Sequence, residues 1–254
     1  LLSSAGMLPA CRSLDCMSIF ALTCDDAAAV LSIAEGVDGL DAYSRKNPFS
    51  NSQTFYGKRT DSLKIAVIPD DQLQFFGSSE YEDAYQRTMN GLRSDANIEL
   101  IEIDYSPFNE AAQLLYSGPW VAERYLAFKD IVDNRPDIVH PLVLEIIEEG
   151  KDLKASDLFK AQYQLKALKR TALNSLVGAD CLLTPTVGRV YSIDEMLEDP
   201  KVLNSQLGYY TNFMNLFDMS AVAVPVGVTG SKMPFGITLS NKKFSDRSLL
   251  SIAN

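Results

Sequence analysis

The chain has one histidine, His140, among 254 residues, and that scarcity excludes a good deal of chemistry. A serine–histidine–aspartate triad would need a residue that precedes Pro141 at an expected helix start, where a surface or capping role is the simpler reading. A cysteine nucleophile would have no second histidine as its base. Cysteine is sparse too: Cys11, Cys16, Cys24 and Cys181 include no Cys-x-x-Cys pair, so no zinc site is expected. Three of them sit among apolar neighbours in a chain too large to need disulfide staples, and they read as reduced core thiols. There is no glycine-rich phosphate loop; Gly227 and Gly230 make only a turn-sized fragment. No apolar run approaches the roughly 18 residues of a membrane span, and the opening Leu1-Leu2-Ser3-Ser4 lacks the positive flank of a signal peptide. Lys and Arg number 23 against 33 Asp and Glu, and the net charge of −10 disfavours nucleic acid and anionic membrane as partners. The expectation is a cytoplasmic globular protein without a resident metal.

The rest of the composition, 46% hydrophobic and 22% charged, is that of an ordinary globular chain with enough length for a large core. Thr23 is placed to cap a helix running to Glu35, with Ala27, Val30, Leu31 and Ala34 as its apolar face. Residues 36–62, including Asn51-Ser52, show no period and read as a long surface connection. A strand over Leu63–Ile68, a helix carrying Tyr81, Ala84, Tyr85, Thr88, Met89 and Leu92, and an alternating strand over Ile98–Ile103 make a βαβ candidate. A helical middle follows, opened at Ser106-Pro107 and broken or kinked at Gly118-Pro119. Leu142–Glu148 is a further short helix, and Ser156 is the expected cap of a long one bearing Phe159, Leu165, Leu168 and Leu176. Lys160, Lys166, Lys169 and Arg170 on that helix read as a solvated face. Short apolar runs at Cys181–Thr184, Ala221–Val226 and Phe235–Leu239 read as strands buried on both sides. The fold class is therefore α/β, a central sheet covered by helices in a single domain. The missing initiator methionine and an ending inside a helical pattern suggest that both ends are cut.

Two segments have chemistry without a plain period. In Gly6-Met7-Leu8-Pro9-Ala10-Cys11-Arg12-Ser13-Leu14-Asp15-Cys16, Arg12 and Asp15 either pair to brace the loop or meet a ligand. Leu203–Met219 reads as an apolar helix crowded with Tyr209, Tyr210, Asn212 and Asn215, whose polar groups must bond the backbone or face a polar pocket. The acidic pairs Asp25/Asp26 and Glu148/Glu149 sit at helix ends or on faces and need no glycosidase reading.

These segments resemble the amidase-signature family, and within it the branch that acts on allophanate. The opening Gly6–Asp15 stretch continues as Ser18-Ile19-Phe20-Ala21-Leu22-Thr23. Then come Tyr116-Ser117-Gly118-Pro119-Trp120-Val121-Ala122-Glu123-Arg124-Tyr125, Leu183-Thr184-Pro185-Thr186, Leu203–Asp218 and Pro234-Phe235-Gly236-Ile237-Thr238-Leu239, in the family's order across nearly the whole chain. The resemblance implies a mixed central sheet with helices on both sides and a lysine, cis-serine and serine catalytic set. It places that set upstream of Leu1, so residues 1–254 would be the carboxyl-terminal portion of one amidase domain and inactive alone. Ser3 and Ser4 have no glycine-rich surround and are not expected to be the nucleophile. The implied contribution of this portion is the pocket wall. Tyr209, Tyr210, Asn212 and Asn215 are its polar candidates, Arg12 and Arg189 its cationic ones, and Tyr191 could close the pocket. No cofactor is implied for the hydrolysis; biotin and ATP would belong only to a fused urea carboxylase region. The implied partners are allophanate, the amino-terminal portion of the domain and a second copy in a homodimer. An amidase acting on another small amide and a non-catalytic binding module are the competing readings.

Overall fold

The structure, a computed structural model, describes residues 1–48, 57 and 61–254. Five strands form one mixed sheet in the order β2-β1-β3-β5-β4. They are β1 (Leu63–Val67), β2 (Ile98–Glu102), β3 (Cys181–Pro185), β4 (Met219–Val228) and β5 (Pro234–Lys242). β1 runs parallel to β2 and β3, while β5 runs antiparallel to β3 and β4. The helices are α1 (Cys24–Ala34), α2 (Ser79–Arg93), α3 (Ser106–Ser117), α4 (Trp120–Asn134), α5 (Pro141–Glu148), α6 (Ala155–Ser175), α7 (Ile193–Glu198), α8 (Pro200–Leu207), α9 (Asn212–Phe217) and α10 (Asp246–Ala253).

The central strand β3 alternates its side chains between two cores, as the two-residue period requires. Leu182 packs with Phe108, Ala111, Ala172, Phe213 and Phe217 from α3, α6 and α9. Leu183 packs on the other face with Tyr81, Tyr85, Met89 and Leu249 from α2 and α10. Helices therefore cover both sides of the sheet, and β1-α2-β2 is the expected parallel unit.

Several local expectations need correction. β4 is an edge strand, and only Ser220 within it is buried; Val226 and Val228 at its far end are exposed, and no strand among the described residues pairs beyond it. α1 is capped by Thr23, whose side chain accepts from Asp26 N–H, but it buries Ala28 and Leu31 against α10 and leaves Val30 and Ala34 exposed. α6 starts at Ala155, where Asp157 accepts from Lys154 N–H, so Ser156 is not its cap. On α6, Phe159 is exposed, whereas Lys169 is half-buried among the otherwise solvated cations. Gly118-Pro119 does break the chain, separating α3 from α4. Leu203–Met219 is not one helix: α8 ends at Leu207, Gly208–Thr211 turn, and α9 begins at Asn212. Asn212 packs closely on Gly208 at that turn, and a Cβ there would lie 2.3 Å from its side chain, so any larger residue would have to displace Asn212. Asn51-Ser52 of the long connection lie outside the described residues.

Candidate functional site

The Gly6–Cys16 loop is built by its backbone rather than by an Arg12–Asp15 pair. Ser4 and Met7 close a turn in which Gly6 has φ +81°, a region that favours glycine. The Asp15 carboxylate accepts from Ala10 N–H at 2.8 Å and Cys11 N–H at 3.0 Å. Cys11 is buried beneath α4, its thiol 3.8 Å from the Trp120 carbonyl, and burial pushes that thiol's pKa up. Glu123 of α4 accepts from Ser13 N–H and Oγ, both at 2.6 Å. Asn215 of α9 donates to the Leu14 carbonyl at 2.8 Å.

This bracing leaves the Arg12 side chain exposed, near enough to Asp41 for its charge to help lower the pKa of that carboxyl. The same side chain makes no hydrogen bond or ion pair within 4 Å among the described residues, and it lines an open cleft of about 250 Å³ with Ser4, Gly6, Pro9 and Asp41. The opposite wall is a strap. Ser3 Oγ donates to Asp38 at 2.6 Å, and Ser4 donates to Asp41 through N–H at 2.8 Å and Oγ at 3.0 Å. The Ser3 hydroxyl chiefly lowers the pKa of Asp38, and the Ser4 N–H chiefly lowers that of Asp41. For a carboxylate whose folded pKa is depressed, the stabilisation is present above the unfolded value and vanishes as pH falls through the folded one. The strap is thus expected to hold unchanged at neutral pH and to release only below the ordinary carboxylate range. The Ser4 amide resonance followed down an acid titration checks this; a transition near neutrality would contradict it.

Tyr209 and Tyr210 are placed elsewhere, against the connection between β1 and α2. Tyr210 is fully buried; its hydroxyl accepts from Gln74 N–H at 2.7 Å and donates to the Gln74 carbonyl at 3.0 Å. Tyr209 donates to the Gln72 carbonyl at 3.4 Å, and Tyr105 donates to the Tyr209 carbonyl at 3.0 Å. Burial raises the pKa of all three phenols. Tyr210→Phe is expected to cost about 1–3 kcal/mol, because both Gln74 backbone groups lose a buried partner. The urea midpoint and amide exchange over residues 73–76 read that loss. Unchanged stability with an altered KM would instead make Tyr210 a substrate contact.

The loop after β3 joins the same group. Arg189 stacks 4.5 Å from the Tyr191 ring centroid and pairs with Glu195 at 2.6 Å, while the Tyr191 hydroxyl bonds Gln206 of α8. Gly188 allows this loop to approach, since a Cβ would sit 2.4 Å from the Gln74 carbonyl oxygen. The structure therefore separates the candidates into two groups. Arg12 and Asn215 meet the amino-terminal loop, whereas Tyr209, Tyr210, Arg189 and Tyr191 gather about residues 72–76. Asn212, half-buried at the start of α9, packs on Gly208. The sequence reading gave no role to Asp41, or to Glu123 of the family-like run after Gly118-Pro119, because both lie far along the chain from the loop they hold. Among the described residues no three His, Cys, Asp or Glu side chains group as metal ligands. No helix there is long and apolar enough to cross a membrane.

The profile of the family described as Amidase matches residues 1–250. The chain belongs to the amidase family. Over 256 residues this amidase chain is 37% identical to urea amidolyase of Saccharomyces cerevisiae, covering 99% of itself and 14% of that protein. Its fold superposes on allophanate hydrolase of Kluyveromyces lactis with a TM-score of 0.91 and 34% identity, covering 99% of this chain and 40% of that one. The structure of urea amidolyase from K. lactis matches with a TM-score of 0.90 and 33% identity, covering 98% of this chain and 15% of the other. The amidase chain thus spans well under half the length of these relatives.

Proposed function

We propose that this chain is the carboxyl-terminal portion of a single amidase domain that hydrolyses allophanate to ammonia and carbon dioxide, and that its share of the work is substrate recognition. The nucleophile, its bridging serine and its lysine belong to the amino-terminal portion in this reading. The serine attacks the amide carbon, ammonia leaves, and water releases the acyl group as an N-carboxycarbamate, which breaks down to two carbon dioxide and a second ammonia. Backbone N–H groups hold the oxyanion.

The observation that carries this reading is the Arg12 guanidinium, which lines an open cleft and has no hydrogen-bond or ion-pair partner within 4 Å among the described residues. Allophanate has a carboxylate beside its amide, and a guanidinium fork can bind it with two charge-assisted hydrogen bonds. Arg189, the other cationic candidate, is already engaged by Glu195 and Tyr191. Asn215 acts through the Leu14 carbonyl to hold the loop that presents Arg12. Tyr209 and Tyr210 act one step further away, by fixing residues 72–74. A neutral aliphatic amide would leave the arginine without a partner, which favours the carboxylated substrate. The 37% identity to a urea amidolyase supports the same choice.

Ammonia release from allophanate by the complete domain, set against a simple aliphatic amide, tests the proposal. Strong preference for allophanate supports it; activity on the simple amide alone removes the substrate assignment, and silence on both removes the catalytic one. Homodimer formation and fusion to a biotin- and ATP-dependent urea carboxylase region belong to the same reading. The mass of the native gene product and of its assembly tests them.

A further inference from the structure

Lys169 stands apart from the other cations of α6. Lys160, Lys166 and Arg170 are exposed, whereas Lys169 is half-buried. It makes no hydrogen bond or ion pair within 4 Å among the described residues, yet it lies within electrostatic reach of Asp218, Lys243 and Arg45. These three come from distant parts of the chain. Asp218, in the left-handed region at φ +57° before β4, accepts both arms of the Arg45 guanidinium at 2.7 and 2.6 Å and has Lys243 at 3.7 Å. Arg45 and Lys243 also lie over the Phe244 ring, 5.5 and 5.7 Å from its centroid. Three cations thus share one carboxylate, and Lys169 is the one without a direct contact to it.

These surroundings favour the neutral amine. Burial lowers the pKa of Lys169, and the charges of Lys243 and Arg45 lower it further against the opposing pull of Asp218. A neutral lysine amine is a nucleophile. Half-burial suits a small, uncharged electrophile, and an adduct with a negative charge would meet Lys243 and Arg45. Such an adduct turns three cations around one anion into two of each.

We infer that Lys169 is a modification site for carbon dioxide, forming a carbamate that pairs with Lys243 and Arg45. Its Nζ attacks the carbon of carbon dioxide, and an N–C bond forms as one C–O π pair moves onto oxygen. The amine proton passes to solvent, and nothing is oxidised or reduced. Only the enzyme's own supply of carbon dioxide rests on the reading that the complete domain hydrolyses allophanate.

The complete domain, equilibrated with isotopically labelled bicarbonate and treated with triethyloxonium to fix carbamates as ethyl esters, is mapped by peptide mass spectrometry. The adduct on Lys169 is expected to exceed that on the exposed Lys160 and Lys166 by at least about threefold. Lys243→Gln should lower it by about 2–5-fold, the value of one exposed ion pair. Lys169→Arg, which keeps the charge and the stem, should abolish the carbamate carbon resonance of the labelled protein. Labelling no greater than on Lys160 and Lys166 overturns the inference, as does a resonance that survives Lys169→Arg. Bicarbonate binding without a trapped adduct overturns it too, since the cluster would then hold an anion and no covalent group. The bicarbonate is supplied from outside, so a labelled Lys169 in a domain silent on allophanate removes the substrate reading alone.

Discussion

Glu35→Ala is expected to remove about 3–5 kcal/mol of stability, the effect of stranding one member of a buried ion pair. Arg247 of α10 reaches Glu35 at the end of α1 at 2.9 Å, with the two side chains only 5% and 15% exposed. The substitution leaves the guanidinium in a dry site with no ion-pair partner among the described residues. The helix end itself survives, since the Glu35 N–H still donates to the Leu31 carbonyl. At roughly 2–4 °C per kcal/mol for a chain of this size, the melting temperature should fall by about 6–20 °C. The pair is imperfectly satisfied, because Glu35 Oε2 and Arg247 Nε have no hydrogen-bond partner among the described residues. Replacing both residues, Glu35→Leu with Arg247→Met, is therefore expected to recover most of the loss. Thermal and urea unfolding of the two single variants and the double variant decide the matter. Additive losses in the double variant would show that the residues do not act as a pair.

Arg12→Ala in the complete domain is expected to lower kcat/KM for allophanate by about 10–100-fold, the value of one or two hydrogen bonds to a charged group. Hydrolysis of a neutral aliphatic amide should change by less than about threefold. Lysine at this position should restore only part of the activity, because an ammonium is a point charge without the planar fork. Stability should hardly move, within about 0.5 kcal/mol, since the side chain is exposed and makes no hydrogen bond or ion pair within 4 Å among the described residues. Equal losses on both substrates would mean that Arg12 shapes the loop and does not meet the carboxylate.

Much of this architecture was legible before folding. β1, α2, β2 and β5, the break at Gly118-Pro119 and the Thr23 cap all follow from hydrophobic period, proline geometry or a capping side chain, interactions that reach only a few residues along the chain. The family was legible as well, because its motifs are local strings. Which face α1 buries was not, since Ala27, Ala28, Val30 and Leu31 offer two nearly equivalent stripes and only the position of α10 selects between them. The exposure of β4 depends on its place at the sheet edge, which its own residues do not encode.

The candidate site divides along the same line. Sequence alone determined that the chain has a single histidine, that it is α/β, and that Arg12, Asn215 and the two tyrosines are polar groups needing partners. Only the tertiary structure decided which partners they take. It gave Tyr210 to the backbone of Gln74, Arg189 to Glu195 and Asn215 to Leu14, and it left Arg12 open to the cleft. A polar side chain's role depends on which distant groups reach it first, and these pairs lie from 6 to 201 residues apart along the chain.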